Sequence, residues 1–193
     1  MNPPYTLKVA TAATLYPLTL EEVKAYLRVV DAAEDAVVES CYRTAIEDAQ
    51  RIQDRTFLTT TYTMKLDVFP GCDTILLPTS PLQSVTSIAY VDYAGTSQTL
   101  ATTVYAVDTN REPPRITLKY AQSWPGTYGQ ANDVTITFVA GYTAANLVPY
   151  SSKSLILQLT GDYYENRQPT DANKVDMTVA ERAAASGQVW TVA

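Results

Sequence analysis

No histidine occurs anywhere in this chain of 193 residues. That absence removes the usual general base near neutral pH, the commonest metal ligand of proteins and a member of the standard nucleophilic triads. Two cysteines, Cys41 and Cys72, are too few for a disulfide framework, and a chain of this length does not need one. With only those two thiols and scattered carboxylates to draw on, no zinc site is expected. No apolar run approaches the length of a membrane span, and MNPPYTLKVATAATLYP lacks the continuous apolar stretch of a secretory signal. The expectation is a soluble protein that folds in a reducing cytoplasm and makes no membrane contact. The patterns G-x-x-x-x-G-K-[ST], G-x-G-x-x-G and G-x-S-x-G are also missing, so no cofactor is expected.

An excess of positive charge is lacking too. Fourteen Lys and Arg stand against twenty Asp and Glu, a formal charge of −6 with no acidic tail or basic patch. Tight binding to a phosphate backbone needs clustered Lys and Arg. A mildly acidic surface repels passing nucleic acid instead, which suits a conduit better than a clamp. Hydrophobic residues make up 46% of the chain and charged ones 18%, the composition of a globular protein with a real core.

The first ordered element is announced by PLTLEEVKAYLRVV. Thr19 and Glu22 form a capping box, Leu18 and Val23 a hydrophobic staple, and Leu20, Val23, Leu27 and Val30 one apolar face. The pattern restarts in DAAEDAVVESCYRTAIEDAQRIQDRTF, with Asp31 and Glu34 as a second capping box. Val38, Cys41 or Tyr42, Ala45, Ala49 and Ile52 follow helical spacing, and Glu39–Arg43 and Glu47–Arg51 pair on the solvent side. Cys41 on this stripe reads as a buried structural thiol.

After Phe57 the apolar period switches from near 3.6 to 2. In TYTMKLDVF, Tyr62, Met64, Leu66 and Val68 alternate with Thr61, Thr63, Lys65 and Asp67. The segments TILLP, SVTSIAYVD, SQTL, TVYAVD, RITLKY and DVTITFVAGY follow as short strands. Breakers separate them, and Tyr93-Ala94-Gly95 supplies a hairpin connection. The period changes again in VPYSSKSLILQLTGDYYENR, where Leu155, Leu159 and Tyr163 recur every fourth residue and Ile156 widens the stripe. Gly161 weakens this helix, which suggests close packing there.

These readings define an α+β chain. It is a small helical bundle (two N-terminal helices plus one C-terminal helix) with an inserted antiparallel β-rich region and an extended C-terminal tail. The expected divisions are an N-terminal extension over 1–17, a helical hairpin over 18–57 and the β-rich insertion over 58–146. A closing helix over 147–167 and the tail over 168–193 complete the chain.

Candidate chemistry is sparse. Ser151, Ser152 and Lys153 offer a Ser–Lys combination, but adjacent helical residues do not face one another. Asp67, Asp92, Asp108 and Asp133 fall at strand ends and turns, where Asp has local capping work. DANKVD at 171–176 resembles a calcium loop but lacks Gly at its sixth position, and Arg182 stands where the bidentate Glu belongs. Tyr62, Tyr90, Tyr105 and Tyr120 are read as strand residues that pack in the core or across strands. Tyr163 and Tyr164 are adjacent, so both cannot face one core and one is available for a protein contact. Arg167 closes the helix as a charge favourable to its dipole. Val189, Trp190 and Val192 end an otherwise polar tail and have no partner of their own. The candidate contact residues are therefore Tyr164, Arg167, Val189, Trp190 and Val192, with no catalytic, cofactor or metal residue assigned.

With these elements in order, the chain resembles the head–tail connector (adaptor, or head-completion) proteins of tailed bacteriophages. The resemblance runs from LTLEEVKAYLRV through FPGCDTILLPTSPLQSVTSIAYVDYAGTSQTL, YAVDTNREPPRITL, SWP and DVTITFVAGY to VPYSSKSLILQLTGDYYENR, covering residues 18–167. It implies a structural virion protein without enzymatic activity, assembled in the host cytoplasm as a ring, commonly of twelve copies, beneath the portal protein. Such a ring extends the DNA channel and docks the stopper or tail-completion protein, while genomic DNA passes through its lumen without specific binding. After Arg167 the customary closing pattern of the family is replaced by QPTDANKVDMTVAERAAASGQVWTVA. The rival readings are a carbohydrate- or protein-binding β module of a phage tail and a histidine-free, carboxylate-dependent hydrolase.

Overall fold

The computed structural model describes residues 5–166. They form a mixed α+β chain in two compact units, one of residues 5–14 and 58–143, the other of residues 15–57 and 144–166.

The β-rich unit holds eight strands: β1 (Tyr5–Thr11), β2 (Thr60–Leu66), β3 (Thr74–Leu76), β4 (Leu82–Val91), β5 (Ser97–Thr99), β6 (Tyr105–Asp108), β7 (Arg115–Leu118) and β8 (Val134–Ala140). One antiparallel sheet runs β1-β2-β8-β4-β5 and a second runs β3-β7-β6. The period-2 pattern explains the inner strands. On β8, Val134, Ile136, Phe138 and Ala140 are buried while Thr135, Thr137 and Val139 are only half-buried. Met64 and Leu66 of β2 lie opposite Ile136 and Val134. Ile75 and Ile116 from the smaller sheet join the same apolar cluster. Each such fully buried side chain contributes about 1.5–3 kcal/mol relative to exposure.

The hairpin between β4 and β5 forms at Tyr93-Ala94-Gly95 as expected, with Gly95 at φ +75°. The carboxylate of Asp92 accepts from the backbone N–H groups of Ala94 and Thr96. β1 occupies the segment read as an extension ahead of the bundle. The tyrosine readings need one correction: β7 ends at Leu118, so Tyr120 lies beyond it and is 99% exposed, in neither the core nor a cross-strand pair.

The helical unit contains α1 (Leu20–Leu27), α2 (Asp35–Gln53) and α3 (Tyr150–Glu165), with a short 3-10 turn at Ala32–Glu34. The capping box of Thr19 and Glu22 is present, and Leu18 and Val23 of the staple are both buried. Val38, Tyr42, Ala45 and Ala49 line the buried face of α2, and Leu155, Ile156 and Leu159 that of α3. Burial pushes the Tyr42 phenol upward, although the backbone of Leu18 works in the opposite direction. Its hydroxyl accepts from the Leu18 N–H and donates to the Leu18 carbonyl, at 2.9 and 2.7 Å, tying the entry of α1 to α2.

Four local expectations are corrected. Val30 is 94% exposed, because Arg28 takes a left-handed conformation that closes α1 before the apolar face reaches it. The second capping box does not form: Asp31 accepts from Ala33 N–H to cap the 3-10 turn, and the Glu34 carboxylate accepts from a side chain of α3 instead. Arg51 pairs with Asp48, one turn back, rather than with Glu47. Cys41 is only half-buried, since Tyr42 takes the inward position beside it. The Glu39–Arg43 pair is present at 2.5 Å.

Candidate functional site

The residues that carried candidate chemistry are committed to local structure. Asp67 accepts from Asn132 N–H, and Asp133 accepts from the N–H groups of Gly129 and Gln130. Asp108 holds Asn110 N–H and the Arg115 guanidinium. Asp92 also takes a bond from the Gln98 amide, and hydrogen bonding led by Thr96 N–H lowers its carboxyl below the usual range. These are the capping roles expected of Asp at turns. Ser152 is buried and donates to Gln53 Oε1 at 2.7 Å, while the Lys153 ammonium lies 5.5 Å from the centre of the Tyr150 ring. The Ser–Lys combination is not assembled. Among the described residues no group of three His, Cys, Asp or Glu is placed to hold a metal ion, and no helix is long and apolar enough to cross a membrane.

Of the candidate contact residues, Tyr164 alone falls within the described part of the chain. It is half-buried near the end of α3, and its hydroxyl donates to Glu34 Oε2 at 3.0 Å. Tyr163, next to it, donates to Asp48 Oδ2 on α2 at 2.5 Å. The adjacent tyrosines therefore diverge, as their spacing requires, but both reach back to the α2 side of the unit. Arg167, Val189, Trp190 and Val192 lie outside the described residues, as does DANKVD.

Tyr164 also borders an open groove of about 930 Å³ formed by the ends of α1 and α3, with Tyr26, Arg28, Asp162 and Glu165 along its sides. Gly161 sits within it, and a Cβ there would lie 3.7 Å from the Tyr26 ring and 3.8 Å from Leu27. Those are ordinary contacts, so packing does not require glycine. A groove of this kind, mixed in charge and without convergent buried polar groups, suits a protein contact better than a small molecule.

Strand β1 was missed from the sequence. The signal was present: in YTLKVAT, Tyr5, Leu7 and Val9 alternate with Thr6, Lys8 and Ala10. It was obscured because the strand precedes two helices and pairs with β2, which follows them.

The sequence matches no protein-family model and no curated protein. Solved structures do resemble it. A chain in the structure described as the "Virion of native gene transfer agent (GTA) particle" is 24% identical, with a TM-score of 0.78. A chain in the "Neck of empty GTA particle computed with C6 symmetry" gives the same identity and a TM-score of 0.78, and one in the "Neck of native GTA particle computed with C12 symmetry" gives 24% and 0.75. Each alignment covers 97% of this chain and 97% of the other. At this identity the likeness establishes a shared fold.

Proposed function

We propose that this chain is a structural protein of the neck of a tailed, phage-like particle. In this reading it is an adaptor that forms a ring beneath the portal, extends the DNA channel and docks the stopper or tail-completion protein. The observation that carries this reading is the end-to-end likeness to chains of gene transfer agent particles, two of them in neck structures computed with C6 and C12 symmetry. The commitment of the candidate carboxylates to turns supports a structural role over a hydrolytic one. The charge of −6 supports a channel wall that repels DNA and lets it slide. The groove at the ends of α1 and α3, with Tyr164 on its border, is the portal- or neighbour-facing contact in this reading.

The test is the solution mass of the pure protein, alone and after mixing with portal rings from the same genome. A ring alone, or a monomer that becomes a stoichiometric ring complex on the portal, is the expected result. A monomer indifferent to the portal overturns the reading, and glycan-array binding by that monomer would favour the carbohydrate-binding module instead. Deleting residues 176–193 is expected to abolish attachment to portal-bearing heads, scored by sedimentation of the heads with labelled protein.

A further inference from the structure

The three helices place their charges differently. α1 has Glu21 and Glu22 in its first turn and Lys24 in its last, and α2 has Asp35 in its first turn and Arg51 in its last. Carboxylates near an N-terminus and cations near a C-terminus favour the helix dipole. α3 inverts the pattern. It has no acid in its first turn and no base in its last; instead Lys153 falls in the first turn and Asp162 and Glu165 in the last. No ion pair joins any of these three to another described residue. Charges that oppose their own helix and find no counter-ion on it are explained by a partner outside the copy.

The two ends of α3 also differ in shape. At its start Tyr150 is 86% exposed, and Leu147 in the 3-10 turn just before it is 55% exposed. The Lys153 ammonium lies 5.5 Å from the centre of the Tyr150 ring, so ring and cation form one knob. At its end lies the groove beside α1, with Tyr26, Arg28, Asp162 and Glu165 along its sides. Gly161 adds no side chain to that groove, which leaves it open. Tyr150 and Asp162 are separated by about 18 Å along the helix axis, so the knob of one copy cannot enter its own groove.

We propose that the Tyr150–Lys153 knob of one copy enters the groove between α1 and α3 of the next copy. The inference rests on the ring reading above. In this contact Lys153 meets Asp162 and Glu165, Tyr150 lies against Tyr26, and Arg28 stands beside the incoming ring. The knob is a cation, whereas the groove sets two carboxylates against one guanidinium, so their charges are complementary. An exposed tyrosine received by a groove is the kind of anchor that dominates protein interfaces. Knob and groove are different surfaces at opposite ends of one helix. Their contact is therefore heterologous and repeats head to tail, as a ring requires.

The test uses two full-length variants, one bearing Lys153→Glu and the other both Asp162→Lys and Glu165→Lys. Each change favours the dipole of α3, so a loss of assembly does not come from a loss of the helix. Alone, each variant sets like charges together at every contact and is expected to stay monomeric where the parent forms rings, by itself or on portal rings. Mixed in equal amounts, each knob meets a groove of opposite charge, and rings of alternating chains are expected, read by native mass. Tyr150→Ala, at a site away from the core, is expected to raise the concentration needed for assembly about tenfold or more; parent-like assembly of this variant overturns the knob. Rings from each charge variant alone overturn the contact and leave the ring reading standing, as does a mixture that fails to assemble. Failure of only one charge variant overturns the pairing and gives the affected surface to another occupant, the portal or the chain's own tail. A parent protein that stays monomeric with and without portal rings overturns the ring reading and this contact together.

Discussion

Two glycines show how far a residue's role depends on its surroundings. Gly141 has φ +104°, and a Cβ there would lie 2.3 Å from the Leu58 carbonyl oxygen. Backbone cannot yield as a flexible side chain can, so Gly141→Ala is expected to lower stability by about 2 kcal/mol or more. Gly161 is helical and has room for a methyl group. Gly161→Ala should therefore raise stability by about 1 kcal/mol, the helix-propensity difference alone. Urea midpoints of both variants against the parent protein check the pair. Equal effects of the same sign would mean that the space around one of them has been misjudged. The sequence offers the same letter at both positions, and the difference comes from Leu58 at one site and the end of α1 at the other.

At the scale of elements, α2 and α3 are held in register by a polar contact inside an apolar seam. Ser152 is buried, and its hydroxyl donates to Gln53 Oε1 at 2.7 Å across 99 positions of sequence. Ser152→Ala would leave that oxygen buried without its donor, costing about 1–3 kcal/mol. Combining it with Gln53→Leu removes both polar partners, and most of the loss should then be recovered. Chemical denaturation of the two single variants and the double variant gives the coupling directly. The helices themselves were legible, because Val38, Tyr42, Ala45 and Ala49 and then Leu155, Ile156 and Leu159 keep a 3.6 period. The partners of polar residues were not. The sequence reads Glu34 as half of a capping box, yet its carboxylate accepts from Tyr164 on α3, and only the packing of α3 beside the 3-10 turn brings those groups to 3.0 Å. Val30 failed similarly: the left-handed turn at Arg28 ends the apolar face before that residue.

For the whole molecule, charge and fold lead to one expectation about nucleic acid. A chain with charge −6 and no basic patch should not retain a short DNA duplex in a mobility-shift assay, even at about 50 mM salt, where phosphate contacts are strongest. Micromolar retention with a steep salt dependence would contradict a wall that DNA slides past. The sequence by itself determined the α+β class, the order of helices and strands from α1 to α3, and the poverty of catalytic residue types. Each of these depends on local periodicity or on composition, which need no knowledge of what lies across the fold. Tertiary structure alone decided that Tyr5–Thr11 is an edge strand, that β8 sits between β2 and β4, and that Asp67 meets Asn132 N–H from 65 positions away. Strand order and side-chain partnership join residues tens of positions apart, and a pattern read along the chain carries no distance between them.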